Sequence, residues 1–328
     1  MNHPMDILES VRSFMKSRII LSGAELDLFT LIDRGNETVQ RLAEVTGGDL
    51  RGLARLLDAI AAYGLLEKKE HQYRLTDAGR FLSANHPESV LPMVMHMNEL
   101  WDGWSRLTDA VIKGRSPQPK SVSDKDEQST RAFIGAMHVV GQQLSREIAA
   151  DLDLSPYHRL LDIGGATGTY TIAFLEKNPE LRAVIFDLPQ VVPFAEERIA
   201  GAGMTDRVEF YGGDFYNDPL PGGCDLALLS AIIHQNSPAQ NLELYRNIFQ
   251  ALLPGGTLLI RDHIMEEDRV HPPAGAIFAI NMLSVTEGGD TYTFTEIKES
   301  LISAGFVDVH CLRQGEKMDG LVRAQKPA

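Results

Sequence analysis

Between Arg159 and Tyr170 the chain reads RLLDIGGATGTY, an apolar run that ends on an acid and opens into a glycine-rich turn. Glycines without a Cβ let backbone approach a ligand at the carboxyl end of a strand, so the segment belongs to a cofactor-binding α/β unit. A second acid, Asp187 in AVIFDLP, ends the next apolar run. An acid there accepts hydrogen bonds from ribose hydroxyls, and the pair outlines an adenosine site.

Two cofactor classes fit such a site. The G-x-G-x-x-G turn of nicotinamide dehydrogenases sets a pyrophosphate on a helix N-terminus. Here Gly164, Gly165 and Gly168 follow Asp162, which repels a pyrophosphate and suits the ammonium of a zwitterionic amino acid. S-adenosylmethionine, whose methionine end carries that ammonium, is the favoured occupant. The alternative for Asp162 is a plain turn residue bonded to its own backbone.

A chain of 328 residues exceeds one average domain, so two domains are expected. No stretch has the length of a membrane span, and charges interrupt the first apolar turns, which points to a cytoplasmic protein without a membrane partner. Two distant cysteines, Cys224 and Cys311, offer neither a disulfide framework nor a metal-ligand cluster, and no metal is expected. The formal charge of -14 argues against a nucleic-acid partner.

From Val11 to about Leu82 the apolar spacing is helical. TVQRLAEVTGG is a helix stopped by Gly47 and Gly48, DLRGLARLLDAIAAYGLL a second one capped by Asp49, and LEKKEHQYRLTDAGRFL a hairpin followed by a helix start. Helix, turn, helix and wing make a winged helix, and the apolar centre of its second helix favours packing or dimerisation over reading DNA. Residues 88–113 form one long helix or two short ones, 114–128 a loop, and STRAFIGAMHVVGQQLSREIAADL a further helix. After Leu154 strands and helices alternate, which predicts a doubly wound parallel sheet of Rossmann-like type, and GFVDVHCL with LVRAQ finishes it as an antiparallel pair with a reversed edge strand. The expected division is a winged-helix dimerisation domain over 1–90, a helical linker over 91–150 and a cofactor-binding domain over 151–328.

In open α/β sheets ligands sit beyond the carboxyl ends of the strands. Those ends present Asp162, Asp187 with Leu188, Asp214 with Phe215, His234, and Asp262 with His263. Asp214 and Phe215 suit an adenine amino group and ring face, or simply a turn after two glycines. His234 leaves an apolar strand on the mouth side, where Asp262 from the neighbouring strand would fix one imidazole nitrogen and leave the other as a base. Strand alternation turns the competing His263 to the face opposite Asp262. Met97, Trp101, Phe133 and Met137 are either core at helical spacing or the lining of an adaptable apolar pocket.

LLDIGGATG, FDLPQVV, RVEFYGGDFY, ALLPGGTLLI and TEGGDTYTFTEIKESLISAGF match in order the small-molecule O-methyltransferases that include the caffeate and hydroxyindole enzymes, and DAGRFL matches as well. The chain resembles that family over almost its whole length. The resemblance implies that Asp162, Gly164, Gly165 and Ser230 line the methionine end of S-adenosylmethionine, with Asp187 at the ribose, Asp214 and Phe215 at the adenine, and Leu188 as a further cofactor-binding residue. It also implies His234 as catalytic base, Asp262 as its orienting acid, and a homodimer built through the N-terminal helices. Phe278, Asn281 and Met282 join the four pocket residues named above around a small aromatic or polyketide-like acceptor. Three positions depart from the plant pattern. Gln235 and Asn236 stand for an Asp-Trp pair, Ser230 for a lysine near the cofactor carboxylate, and Thr291 for a second orienting glutamate, with Glu287 as the candidate replacement. The competing functions are a thiol or nitrogen acceptor and a winged-helix ligand sensor.

Overall fold

The computed structural model of the protein describes residues 3–119 and 127–328, so residues 120–126 of the expected loop lie outside the described residues. Two compact units divide at Trp101 and Asp102, inside a helix rather than at residue 90. Residues 102–150, expected as a separate linker, belong with the sheet. Among the described residues no helix is long and apolar enough to cross a membrane.

The first unit runs α1 (Pro4–Glu25), α2 (Leu28–Asp33), α3 (Val39–Thr46), α4 (Leu50–Ala62), β1 (Leu66–Lys69), β2 (Gln72–Leu75) and α5 (Asp77–Arg80), then enters α6 (Leu91–Ser105). Local chemistry sets the winged-helix boundaries. Gly47 ends α3 in the left-handed conformation at φ +71, and Asp49 caps α4 by accepting a hydrogen bond from the Gly52 amide at 2.8 Å. Leu53, Leu57 and Ile60 recur at helical spacing and bury one face of α4 against Leu28, Phe29, Leu42 and Tyr73. The wing pairs antiparallel, Leu66 opposite Leu75, and a Cβ at Gly79 of α5 would stand 2.0 Å from the carbonyl oxygen of Leu65.

The second unit contains α7 (Leu107–Lys113), α8 (Glu127–Asp151), β3 (Arg159–Ile163), α9 (Thr169–Lys177), β4 (Arg182–Asp187), α10 (Val192–Gly201), β5 (Val208–Gly212), β6 (Cys224–Ser230), α11 (Pro238–Ala251) and β7 (Leu252–Asp262). It continues through β8 (Ile264–Met265), α12 (Pro273–Val285), β9 (Tyr292–Thr293), α13 (Phe294–Ser303), β10 (Val307–Arg313) and β11 (Gly320–Gln325). Residues 88–113 thus resolve into two helices, α6 and α7.

The seven-stranded sheet has the order β10-β11-β7-β6-β3-β4-β5, with β7, β6, β3, β4 and β5 mutually parallel. The antiparallel C-terminal pair expected from the sequence is present, and its reversed strand, β11, lies one position in from the edge strand β10. Side-chain alternation divides the core in two. Leu161, Leu229 and Ile260 face Leu244, Tyr245 and Leu301 of α11 and α13, whereas Leu160, Leu228 and Leu259 face Ile148, Phe174 and Ile199 of α8, α9 and α10. The chain moves outward from β3 through β4 to β5, then returns to β6 beside β3. That reversal opens a crevice at the strand ends, the usual ligand position in such sheets.

Candidate active site

The turn after β3 requires glycine. Gly164 has φ +67, and a Cβ there would lie 2.6 Å from Ile232 Cδ1, while one at Gly165 would lie 2.9 Å from the Asp162 carboxyl carbon. Asp162 is 2% exposed and accepts a hydrogen bond from the Thr171 hydroxyl at 2.6 Å. Burial, with a contribution from Asp187, pushes its carboxyl up to about 6. Asp187 accepts hydrogen bonds from the Ala166 and Leu188 amides, each at 2.7 Å. It too is pushed up to about 6, by the protein crowding around it.

Among the described residues no salt bridge joins a cation to either acid. Two acids strained toward protonation in a glycine-lined turn fit a ligand that brings positive charge and hydroxyl donors, as S-adenosylmethionine does. Asp214 anchors the turn after β5, with one oxygen accepting from the Tyr216 amide at 3.0 Å and the other from Asn217 Nδ2 at 2.7 Å. Phe215 packs on the core beside Gly164. The turn role and the adenine role of this pair are compatible, because each carboxylate oxygen keeps a second lone pair.

At the opposite side of the crevice β6 ends in Ser230, and His234 follows in a short 3-10 turn. His234 Nδ1 lies 3.0 and 2.9 Å from the two oxygens of Asp262. Burial opposes the Asp262 charge, yet the His234 imidazole, Arg261 and the His263 amide together hold its carboxyl below the ordinary value. An ionised Asp262 accepts, so Nδ1 carries the hydrogen and Nε2 is left as the acceptor. The edge of the His234 ring meets Phe278 at 4.9 Å between centroids.

His263 does not turn away as strand alternation suggested. β7 stops at Asp262, the alternation stops with it, and the His263 ring packs on the same Phe278 at 4.9 Å. Glu287 is not brought to the imidazole either. It is exposed, and its neighbours support His234 through backbone: the Asp290 amide donates to the His234 carbonyl at 2.9 Å, and a Cβ at Gly289 would lie 2.5 Å from that oxygen. Thr291 is buried, its hydroxyl directed to the Gly275 carbonyl at 3.4 Å. Of the two expected orienting acids, Asp262 alone contacts the ring.

Gln235 and Asn236 tie the turn after His234 to its surroundings. Asn236 is fully buried, accepts the Tyr216 hydroxyl and donates to Asn241 at 2.9 Å, while Gln235 Nε2 reaches the Tyr216 hydroxyl at 3.3 Å. Ser230 accepts from Arg261 Nε at 3.0 Å. Tyr216, Asn241 and Arg261 escaped the sequence reading; the signal for Arg261 was a cation inside the apolar strand GTLLIRD. Of the pocket candidates, Met97 is 45% exposed and Trp101 half-buried in the first unit, with the Arg18 guanidinium 5.4 Å from the Trp101 ring. In the second unit Phe133 and Met137 are half-buried on α8, Met282 is buried, and Asn281 is held by Trp104 Nε1 at 2.8 Å.

Known proteins share both units. A model of the O-methyltransferase domain matches residues 104–307 and a model of the O-methyltransferase dimerisation domain matches residues 8–85. The chain is 36% identical to the tetracenomycin polyketide synthesis 8-O-methyl transferase TcmO of Streptomyces glaucescens, across 93% of this chain and 92% of that one. It is 32% identical to the 3-hydroxy-5-methyl-1-naphthoate 3-O-methyltransferase of Streptomyces sahachiroi, across 94% and 91% respectively. The crystal structure of human N-acetylserotonin methyltransferase in complex with S-adenosylmethionine aligns with a TM-score of 0.83, at 26% identity, over 100% of this chain and 99% of that one. Sequence and fold therefore agree that the chain belongs to the O-methyltransferase family with an N-terminal dimerisation domain, and that it is an S-adenosylmethionine-dependent O-methyltransferase.

Proposed function

We propose that the protein methylates a phenolic hydroxyl of a small aromatic, polyketide-like molecule, with His234 as general base. The observation that carries this reading is the buried His234–Asp262 pair, 2.9 Å apart, whose free Nε2 needs a proton to accept. The two Streptomyces relatives, whose names refer to a polyketide and a hydroxynaphthoate, support the acceptor class.

S-adenosylmethionine, when bound, supplies a methyl group already activated by its sulfonium. What remains for the protein is alignment and removal of one proton. Asp187 holds the ribose hydroxyls, Asp162 the ammonium, and Asp214 with Phe215 the adenine. A phenol with a pKa of about 10 is mostly protonated near neutrality, so His234 Nε2 takes the hydroxyl proton as the oxygen becomes nucleophilic. Asp262 keeps the ring in the tautomer that can do so and stabilises the imidazolium that results. Phe278 holds the ring plane by packing on it. Mass spectrometry of candidate phenols, catechols and thiols incubated with methyl-labelled cofactor tests the reading. Methyl incorporation confined to thiols would overturn it.

The raised carboxyls of Asp162 and Asp187 predict a pH dependence of cofactor binding. Both titrate near 6 in the free protein against 3.8 in the unfolded chain, so between those values the native state holds extra protons. Stability of the free protein is therefore expected to fall as pH rises through about 4 to 6, and then to level off. A cationic ligand favours the ionised acids. Affinity for S-adenosylmethionine is expected to drop by about tenfold per carboxylate between pH 7 and pH 5, with protons released on binding near pH 6. Calorimetry in buffers of different ionisation enthalpy reads both effects, and an affinity independent of pH would refute the assignment.

The dimerisation domain further supports a homodimer joined through the first unit. Met5, Leu8, Val11 and Met15 of α1 lie at helical spacing and are 46 to 64% exposed, a solvent-facing apolar stripe that a second copy would cover. Val11→Glu is expected to shift the protein from dimer to monomer in light scattering at micromolar concentration. A wild-type monomer under the same conditions would count against the homodimer.

A further inference from the structure

We propose that Arg261 receives the carboxylate of the cofactor's methionine moiety while Asp162 faces its ammonium, so that two buried charges of opposite sign grip a zwitterion. The proposal rests on the cofactor assignment above and adds a residue to it.

Arg261 is an anomaly in its strand. It is 4% exposed, yet among the described residues no carboxylate lies within salt-bridge distance of its guanidinium. Its protein partners are neutral: Nε donates to the Ser230 hydroxyl at 3.0 Å and Nη1 to the Met318 carbonyl at 2.9 Å. Nη2 has no hydrogen-bond acceptor among the described residues. The ionised Asp262 next to it in the chain acts on Arg261 only through space, being bonded to His234 and the His263 amide, and a guanidinium taken out of water without a directly bonded anion is costly.

The sheet register says where that anion would sit. Asp162 pairs with Leu228 and Leu228 with Leu259, while Ser230 pairs with Arg261. Alternation then puts Asp162, Ser230 and Arg261 on one face of the sheet, toward α8 and α9, at the ligand-binding ends of three adjacent strands. Tyr170 of α9 stands beside Arg261. Its ring centroid is 5.2 Å from the Arg261 guanidinium, and its hydroxyl feels both Arg261 and Asp162. An α-amino acid presents an ammonium and a carboxylate on a single carbon, and this face offers the Asp162 carboxyl and a guanidinium with no ion-pair partner among the described residues, Asp319 beside Met318 being engaged by Arg313 at 3.5 Å. Guanidinium is also the cation best shaped to a carboxylate.

The competing role for Arg261 is purely structural, a tie between β6 and the loop that carries Met318. Titration calorimetry separates the two with S-adenosylhomocysteine and its decarboxylated analogue, which differ only in the carboxylate. Wild-type protein is expected to bind S-adenosylhomocysteine at least ~10-fold more tightly than the analogue. Arg261→Met is expected to lose that preference while binding the analogue as the wild type does, and Arg261→Lys to regain part of it. Equal weakening of both ligands in Arg261→Met would overturn the proposal in favour of the structural tie. Should Arg261→Met not fold, the wild type and Arg261→Lys decide, because an unchanged ligand ratio between them would overturn it equally. A wild-type protein that binds both ligands alike removes the role of Arg261 and leaves the cofactor assignment standing; one that binds neither removes both.

Discussion

His234→Ala is expected to slow methylation of a phenolic acceptor by roughly 100-fold or more at neutral pH, while S-adenosylhomocysteine binds as it does to the wild type. The two readouts separate because the imidazole sits in the turn after β6 with Asp262 and Phe278, whereas Asp162 and Asp187, the acids proposed to hold the cofactor, belong to β3 and β4. Loss of the ring also leaves the 1% exposed Asp262 without its main donor, although the His263 amide still reaches Oδ1 at 2.8 Å. Some loss of thermal stability is therefore expected alongside the loss of turnover, and rates must be compared below the melting transition. The residual rate should climb with pH, because a phenol that ionises on its own no longer needs the base. Single-turnover kinetics across pH check this, and a His234→Ala enzyme with wild-type rate at pH 7 would remove His234 from the chemistry.

The second large effect concerns the other unit and involves no chemistry. Gly79→Ala is expected to cost about 1–3 kcal/mol of the first unit's stability, as an overpacked contact against rigid backbone. The added methyl would meet the Leu65 carbonyl at 2.0 Å, and that carbonyl already accepts the Thr76 amide at 3.2 Å and so cannot swing aside freely. Thr76 also caps α5 through the Gly79 amide at 3.0 Å, so wing and helix would be disturbed together. Gly201→Ala is the control. A Cβ there meets nothing within 4 Å, and denaturant unfolding should show no loss. Equal stability of the two variants would show that the wing adapts more readily than this geometry implies.

Much of this was legible because it is local. Gly164 and Gly168 announce a turn by what they lack, Asp49 and Gly47 mark helix ends by their own hydrogen bonds and dihedrals, and the strands from β3 to β7 read as apolar runs. The His234–Asp262 pair was legible for a related reason: Asp262 ends β7 and His234 follows within four residues of the end of the adjacent parallel strand β6, so sequence position alone puts them on one side of the sheet.

What escaped the sequence depended on where chain direction changes. His263 follows the last residue of β7, so strand periodicity no longer governs it. Glu287 stood close in sequence to the expected acid, but the segment meets His234 with the backbone of Gly289 and Asp290 rather than with a side chain. Asn236 and Tyr216 meet across two loops, and nothing in either segment names the other. The division at Trp101 was hidden because α6 continues through it as regular helix.

The position of β11 has a consequence for biogenesis. Gly320 pairs with Asp262 and Leu321 with Arg261, so the strand that carries both residues is flanked on one side by a strand synthesised long after it. Until residues 263–325 have left the ribosome, β7 presents a bare apolar edge, which is open to pairing with other nascent chains. The sheet of the second unit is thus completed only after β11 has emerged. Its yield in a heterologous host should respond to chaperone supply and to lesions in the 320–325 segment more than to changes on the sheet's opposite edge at β5.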